Sequence, residues 1–330
     1  MGKTYTGVAI GNESLKLAVC DGSAVKTLLV EDLPEGLMAN GRVVSFDAMA
    51  DLIKRAMRHI RGASKDAAFV MPKADTYVRH VVVPAMTEKQ LSLNLPYEFR
   101  DYIAQGKDRY SYDYAVLRTT PKADGTPESM DLLAVASLKE TVTDYADMFH
   151  RAGLRLRIAM PSQAAYQNLI GGNPRALANC CIINFSHTAA KLHFFTNGAY
   201  DVTRIIDTGG QDIDRAIADA YSVDIHVATG YKHANYEGAQ TIPAAMAVYE
   251  TVAVEISRAL NFYAFNNPDA TIEVVYFGGG GSLLQPLMDT VASRIDVELR
   301  SIVDIMPPLQ AGEDLRALCA SAVGATLGGR

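Results

Sequence analysis

Residues 7–20 read GVAIGNESLKLAVC and residues 182–195 read IINFSHTAAKLHFF. Setting Ala9 on Asn184, 175 residues further on, also sets Lys16 on Lys191 and Leu17 on Leu192. Each copy is an apolar strand, a short polar turn and a second strand. A glycine turn follows at once, Asp21-Gly22 in the first and Asn197-Gly198 in the second. Such dipeptides between alternating strands are the strongest short-range hairpin signal. A chain that repeats this unit half its length apart is expected to have two lobes, with a cleft between them where a ligand binds.

Working outward, 330 residues exceed what one hydrophobic core usually holds. With 49% hydrophobic and 21% charged residues, the composition is that of a soluble globular protein. No tract is long and apolar enough to span a bilayer, and the N-terminus shows no secretory signal. Met1-Gly2 with Thr6 matches a myristoylation pattern. Residues 5–10 already read as a strand, so the match is taken as accidental. Cys20, Cys180, Cys181 and Cys319 form no C-x-x-C pair, which favours buried thiols in a reducing compartment over a metal site. The net charge of −6 argues against a nucleic-acid face.

Three strands are expected over residues 4–31. Ser45 is placed to cap a helix running to Ile60, with Phe46, Met49, Ile53, Met57 and Ile60 on one stripe. Lys54, Arg55, Arg58, His59 and Arg61 crowd its far end, where they suit the helix dipole and read as a solvated face. Strands return at 67–71 and 77–83. Thr87-x-x-Gln90 is a capping-box signature, and the helix that follows should kink or break at Pro96. Strands are expected at 110–117 and 131–136, then a helix capped by Ser137 and ended by Gly153, then a strand at 154–159. The β-and-α block 85–159 reads as an insertion. The resulting division is 1–84 with 160–179 as a first lobe, 85–159 as an inserted subdomain, and 180–330 as a second lobe in which 212–269 forms a smaller subdomain. In that lobe a helix follows Gly209-Gly210 with Asp212 as its cap. Pro243 opens a long helix carrying Val248, Val252, Ile256, Leu260 and Tyr263. A last helix covers about 312–326.

Four segments are candidates for ligand contact. The strongest is the run Gly278, Gly279, Gly280, Gly281 and Ser282, between a buried strand and a helix start. Glycine there admits close backbone approach and a helix N-terminus offers free N–H groups to an anion. The second is the turn Gly11, Asn12, Glu13 and Ser14, with Lys16 supplying charge. The third is the matching turn Ser186, His187, Thr188 and Ala189, and the fourth is Gly209-Gly210. A solvated turn explains His187 equally well, and an ordinary surface ion pair explains Glu255 and Arg258.

In this order the pieces resemble the actin-like ATPase superfamily of actin, Hsp70 and sugar kinases. The resemblance is closer to the PilM-type proteins of type IV pilus assembly, relatives of the FtsA group. It rests on NGAYDVTRIIDTGGQDIDRAIADAY, EISRALNFYAFNNPDATIEVVYFGGGGSLLQPLMDTVASRI, VRHVVVPAMTEKQLSLNLPYEFRDYI and DLLAVASLKETVTDYADMFHRAGLRL. The implied fold is α/β: a two-lobed actin-like ATPase fold (a duplicated ribonuclease H-like unit) with an inserted α+β subdomain. The resemblance implies two phosphate hairpins and an adenosine loop. It places ATP or ADP against Gly11, Asn12, Ser14, Lys16, His187, Thr188, Gly209, Gly210, Lys232 and residues 278–282.

The superfamily usually carries D-x-G in each phosphate hairpin, and its carboxylates hold the Mg²⁺ hydration shell and position water. Here Ala9 and Gly11 keep only the glycine, while Asn184 and Ser186 keep neither. Thr229 stands where the family has a glutamate, with Lys232 as the matching lysine. Asparagine accepts hydrogen bonds but brings no charge to a cation. The expected nucleotide binding is therefore weak or absent, the Mg²⁺ site is doubtful, and no residue is assigned a catalytic role. The implied function is a cytoplasmic scaffold of type IV pilus assembly, docking the N-terminal cytoplasmic segment of a PilN-like inner-membrane protein. Contacts with further pilus components and self-association are also implied, with no nucleic-acid partner and no direct membrane insertion. The alternatives are an active ATPase or small-molecule kinase, and an FtsA-like cell-division adaptor.

Overall fold

A computed structural model describes residues 4–21, 23–103, 106–171, 173–310, 312 and 315–328. Met1 and Gly2 of the myristoylation pattern and Gly22 of the first glycine turn lie outside these. The chain forms two units, residues 1–171 with 307–330, and residues 172–306.

The first unit opens with β1 (Thr6–Ile10), β2 (Ser14–Cys20) and β3 (Val25–Asp32), followed by a small ribbon of β4 (Met38–Ala39) and β5 (Arg42–Val43). Helix α1 (Phe46–Ala56) begins where Ser45 accepts a hydrogen bond from the Ala48 amide, as its sequence predicts. Then come β6 (Asp66–Val70), β7 (Tyr77–Pro84), α2 (Glu88–Glu98), β8 (Tyr110–Pro121), β9 (Pro127–Leu138), α3 (Lys139–Arg151), β10 (Arg155–Met160) and α4 (Ser162–Ile170). The main sheet has the order β10-β6-β1-β2-β3. Its β1–β2 and β2–β3 pairs are antiparallel, while β1–β6 and β6–β10 are parallel. Val8, Ile10, Leu15, Leu17 and Val19 alternate onto one face, where they meet Met49 and Ile53 of α1 and Tyr145, Met148 and Phe149 of α3.

The second unit repeats this plan. Its strands are β11 (Cys180–Phe185), β12 (Ala190–Thr196) and β13 (Ala199–Ile206), then helices α5 (Gly210–Tyr221), α6 (Ile225–Ala234) and α7 (Pro243–Asn266), then β14 (Val274–Gly279), α8 (Gln285–Arg294) and β15 (Glu298–Ser301). The sheet order β13-β12-β11-β14-β15 reproduces the first, with the same parallel and antiparallel senses. The turn between β12 and β13 is Asn197 (φ 53°) and Gly198 (φ 74°), the left-handed pair its Asn-Gly dipeptide predicts. The chain then returns to the first unit with α9 (Arg316–Leu327).

Four boundaries differ from the sequence reading, the simplest being that residues 173–179 belong to the second unit and not to the first. The insertion begins at β7, not at residue 85, because β7, β9 and β8 form their own sheet. A separate core of Val81, Val83, Leu91, Leu95, Phe99, Leu132 and Ala134 holds it together. It ends near Leu138, not at 159: α3 belongs to the main core and β10 is hydrogen-bonded to β6. Ser137 accordingly does not cap α3; its hydroxyl donates to the Asp75 carbonyl at 2.8 Å. Residues 307–330 leave the second unit altogether. Gly7 is what admits α9, since a Cβ there would collide with the Ala322 carbonyl. Gly324 plays the same part against the Ala165 carbonyl of α4. Finally, α5 to α7 share one continuous core with β11, β12 and β14 and have no separate interior.

Candidate functional site

The two hairpins have the same geometry. Ala9 pairs with Lys16 across β1–β2, and Asn184 pairs with Lys191 across β11–β12. The Gly11 amide donates to the Ser14 carbonyl at 2.9 Å, and the Ser186 amide to the Ala189 carbonyl at 2.9 Å. In the first, the Lys16 ammonium donates to the Ser14 hydroxyl at 2.9 Å. Burial holds its pKa below the ordinary lysine value. The neighbouring Cys319 thiol, on α9, is itself pushed up to about 12 by burial. A Cβ on Gly11 would stand 3.2 Å from Lys16 Nζ, so the glycine leaves room for the ammonium at the turn.

In the second hairpin the neighbours are backbone. The Gly210 amide donates to the Ser186 carbonyl at 3.0 Å and the Gln211 amide to the His187 carbonyl at 2.8 Å. The Gly209 amide donates to the Asp212 carboxylate at 2.8 Å. Asp212 is thus the third residue of α5 reaching back to Gly209, its N-cap. The first amides of α5 are consumed within the protein, so Gly209 and Gly210 are not the open anion cradle the sequence suggests. A Cβ on Gly209 would meet the Ala189 amide and the His187 carbonyl, which accounts for the glycine by close packing alone.

The glycine run differs in the same way. Gly278 and Gly279 are the last residues of β14, paired with Asn184 and Phe185. Residues 280–283 form one 3₁₀ turn, closed by the Ser282 hydroxyl donating to the Gly279 carbonyl at 2.7 Å. Helix α8 starts only at Gln285, so its N-terminus is set back from the glycines. Gly279 has φ 84°, and a Cβ there would collide with the Phe185 carbonyl and stand 2.5 Å from Asn184 Oδ1. A Cβ on Gly281 would enter the Phe185 ring, whereas around Gly280 the space is open. Two of the four glycines therefore answer to β11.

Lys232 does not offer its charge outward. It is buried on α6, 2.7 Å from the Asp214 carboxylate of α5, with the Gly210 carbonyl at 3.4 Å. The buried Tyr249 hydroxyl of α7 is pushed up to about 12, by burial first and then by Asp214. Asp214 is the member of this cluster that sequence reasoning missed. The available signal was its place on one helical stripe with Ile217 and Tyr221, where an unpaired carboxylate would not survive. Thr229, one turn before Lys232, donates to the Ile225 carbonyl. Glu255 and Arg258 form an exposed ion pair at 2.5 Å. Among the described residues no group of three His, Cys, Asp or Glu side chains is close enough to hold a metal ion.

The candidates thus assemble in two places. Gly11, Asn12, Ser14 and Lys16 lie on the first hairpin. Asn184, Ser186, His187, Thr188, Gly209, Gly210, Lys232, Gly278, Gly279, Gly280, Gly281 and Ser282 gather around the second. As to fit, the Lys16 ammonium and the Ser14 hydroxyl it donates to are the groups of the first turn that a phosphate would have to engage. Neither hairpin offers a carboxylate at position 9 or 184 for a cation.

Two five-stranded sheets of identical order, each led by a tight hairpin, with a subdomain inserted in the first, define an actin-like α/β protein. Within that class the chain belongs to the family described as type IV pilus assembly protein PilM, whose profile matches residues 7–318. Among solved structures, the PilM–PilN type IV pilus biogenesis complex has TM-score 0.82 at 22% identity, covering 99% of this chain and 98% of that one. The ethanolamine utilization protein EutJ of Carboxydothermus hydrogenoformans has TM-score 0.63 at 14% identity, with 99% and 90% covered. MreB 5 of Spiroplasma citri, bound to AMPPNP, has TM-score 0.52 at 12% identity, with 98% and 95% covered. No curated protein matches the chain significantly. No described helix is long and apolar enough to cross a membrane.

Proposed function

We propose that this chain is a cytoplasmic scaffold of type IV pilus assembly that docks the N-terminal cytoplasmic segment of a PilN-like membrane protein. Membership of the family over residues 7–318, inserted subdomain included, is the observation that carries this reading. Docking places the protein at the inner face of the cytoplasmic membrane through its partner. The recognition is of peptide by a preformed surface, whose strength depends on the geometry of the surrounding fold.

The nucleotide site is degenerate. Bound ATP or ADP would meet Lys16 and the backbone of residues 11–14, and would supply at most a bias on conformation. Ala9 and Asn184 occupy matched positions in matched registers, and neither can hold the hydration shell of Mg²⁺ by charge. Removing such groups commonly costs several kcal/mol of transition-state stabilisation, so hydrolysis is little or none. Titrating the full chain with the partner's N-terminal peptide tests the docking, and no binding at high micromolar peptide would refute it. Calorimetry with ATP and Mg²⁺ tests the site. Turnover well above that of Lys16→Ala would restore the reading as an active ATPase.

A further inference from the structure

The stretch Lys54-Arg55-Ala56-Met57-Arg58-His59-Ile60-Arg61-Gly62-Ala63-Ser64-Lys65 contains no acid, in a chain of net charge −6. Leu52, Ile53, Ala56 and Ile60 anchor its inner side in the core of the first unit, so Lys54, Arg58, His59, Arg61 and Lys65 are all exposed. None of Lys54, Arg58, Arg61 and Lys65 makes an ion pair with a described residue. Arg55 differs, since it lines a shallow cleft of about 340 Å³ together with Glu35 and Asp51. The Lys65 carbonyl accepts a hydrogen bond from the Arg155 amide, which joins β10 to the patch. There Arg155 and Arg157 share a single carboxylate, Asp66, at 2.8 and 3.1 Å. Six cations thus stand against one acid. At the tip Gly62 has φ 74° and nothing within 4 Å of its Cβ position, so the turn projects into open space.

We propose that this patch adsorbs the protein to an anionic phospholipid surface. A convex tip with long, uncommitted cations fits a flat, fluid layer of phosphate headgroups better than it fits a groove-bound peptide. The stretch has no Phe, Tyr or Trp on which a nucleobase could stack. The apolar side of α1 is spent in its own core, so the contact is electrostatic adsorption without insertion. Docking of a membrane-protein segment would bring such a surface close, but the adsorption does not depend on it.

The test is co-sedimentation of the full chain, without partner, with vesicles of phosphatidylcholine alone or with about a third phosphatidylglycerol. Binding to the anionic vesicles only, abolished by raising salt from about 0.1 M to about 0.5 M, is expected. The triple variant Arg58→Glu, Arg61→Glu, Lys65→Glu should bind at least about tenfold more weakly. Lys73→Glu, Lys89→Glu, Lys122→Glu, with the same change in net charge, should bind as the parent does. Equal loss in both triples, binding that survives high salt, or tighter binding to duplex DNA than to the vesicles would each overturn the proposal. Titration of the triple with the partner's peptide separates the two readings, since that affinity should not change.

Discussion

Lys16 stands across from Ala9 in the first hairpin, and Lys191 stands across from Asn184 in the second; the same amide-to-carbonyl bond closes each turn. The residues around them have diverged. The first hairpin carries a desolvated ammonium with a hydroxyl partner, and α9 lies on its strand through Gly7. The second is enclosed by backbone: α5 spends its leading amides on the turn, and Gly279 and Gly281 press on Phe185. Position 18 of the first copy is Ala18, whereas its counterpart in the second is the buried His193, hydrogen-bonded to Thr203 at 2.8 Å. A hairpin register is set by turn length and by which face is buried, so it outlasts changes in the chemistry displayed on it.

The largest effect should come from the close approaches that distinguish the copies. Gly7→Ala must displace α9, and Gly281→Ala must displace Phe185, each costing about 3 kcal/mol or more by urea unfolding. Gly280→Ala should be nearly silent, and equal losses at 280 and 281 would break the packing account. Next, Asp214→Ala leaves Lys232 charged in the core, a loss of about 3 kcal/mol or more. Adding Lys232→Met should recover most of it, which calorimetric melting can check. Third, acid should weaken the second copy in particular. Burial holds folded His193 down to about 3, against 6.5 in the unfolded chain, so between those values the unfolded state binds the extra proton. Its contribution is complete above pH 6.5 and falls by up to about 1.4 kcal/mol for each unit below it. His193→Gln should flatten that part of the stability–pH curve. The smallest effect is at the matched lysines. Lys16→Met removes a desolvated cation and should stabilise by about 1 kcal/mol, while Lys191→Met should change less.

Much of this was legible from local patterns. Ser45, Thr87 with Gln90, Pro243 and Asn197-Gly198 each mark an element end through chemistry confined to a few residues. The repeat was legible because a strand–turn–strand unit writes its register into its own alternation. The candidate site was less so. Glycines at 209, 279 and 281 look alike whether a ligand or another strand approaches them, and here another strand or turn does. Lys232 looked available because the carboxylate that pairs with it lies on the preceding helix.

The sequence alone determined the duplicated hairpins, the α/β class, the uncharged residues at positions 9 and 184, and the density of basic residues between 54 and 65. Those properties reside in residue identities and in spacings shorter than a helix. Only the tertiary structure decided that the insertion spans β7 to β9, that α3 and β10 belong to the main core, and that the chain closes by returning α9 to the first sheet. Each of these turns on which surfaces meet across about sixty to about three hundred residues, a contest of packing that no local periodicity records.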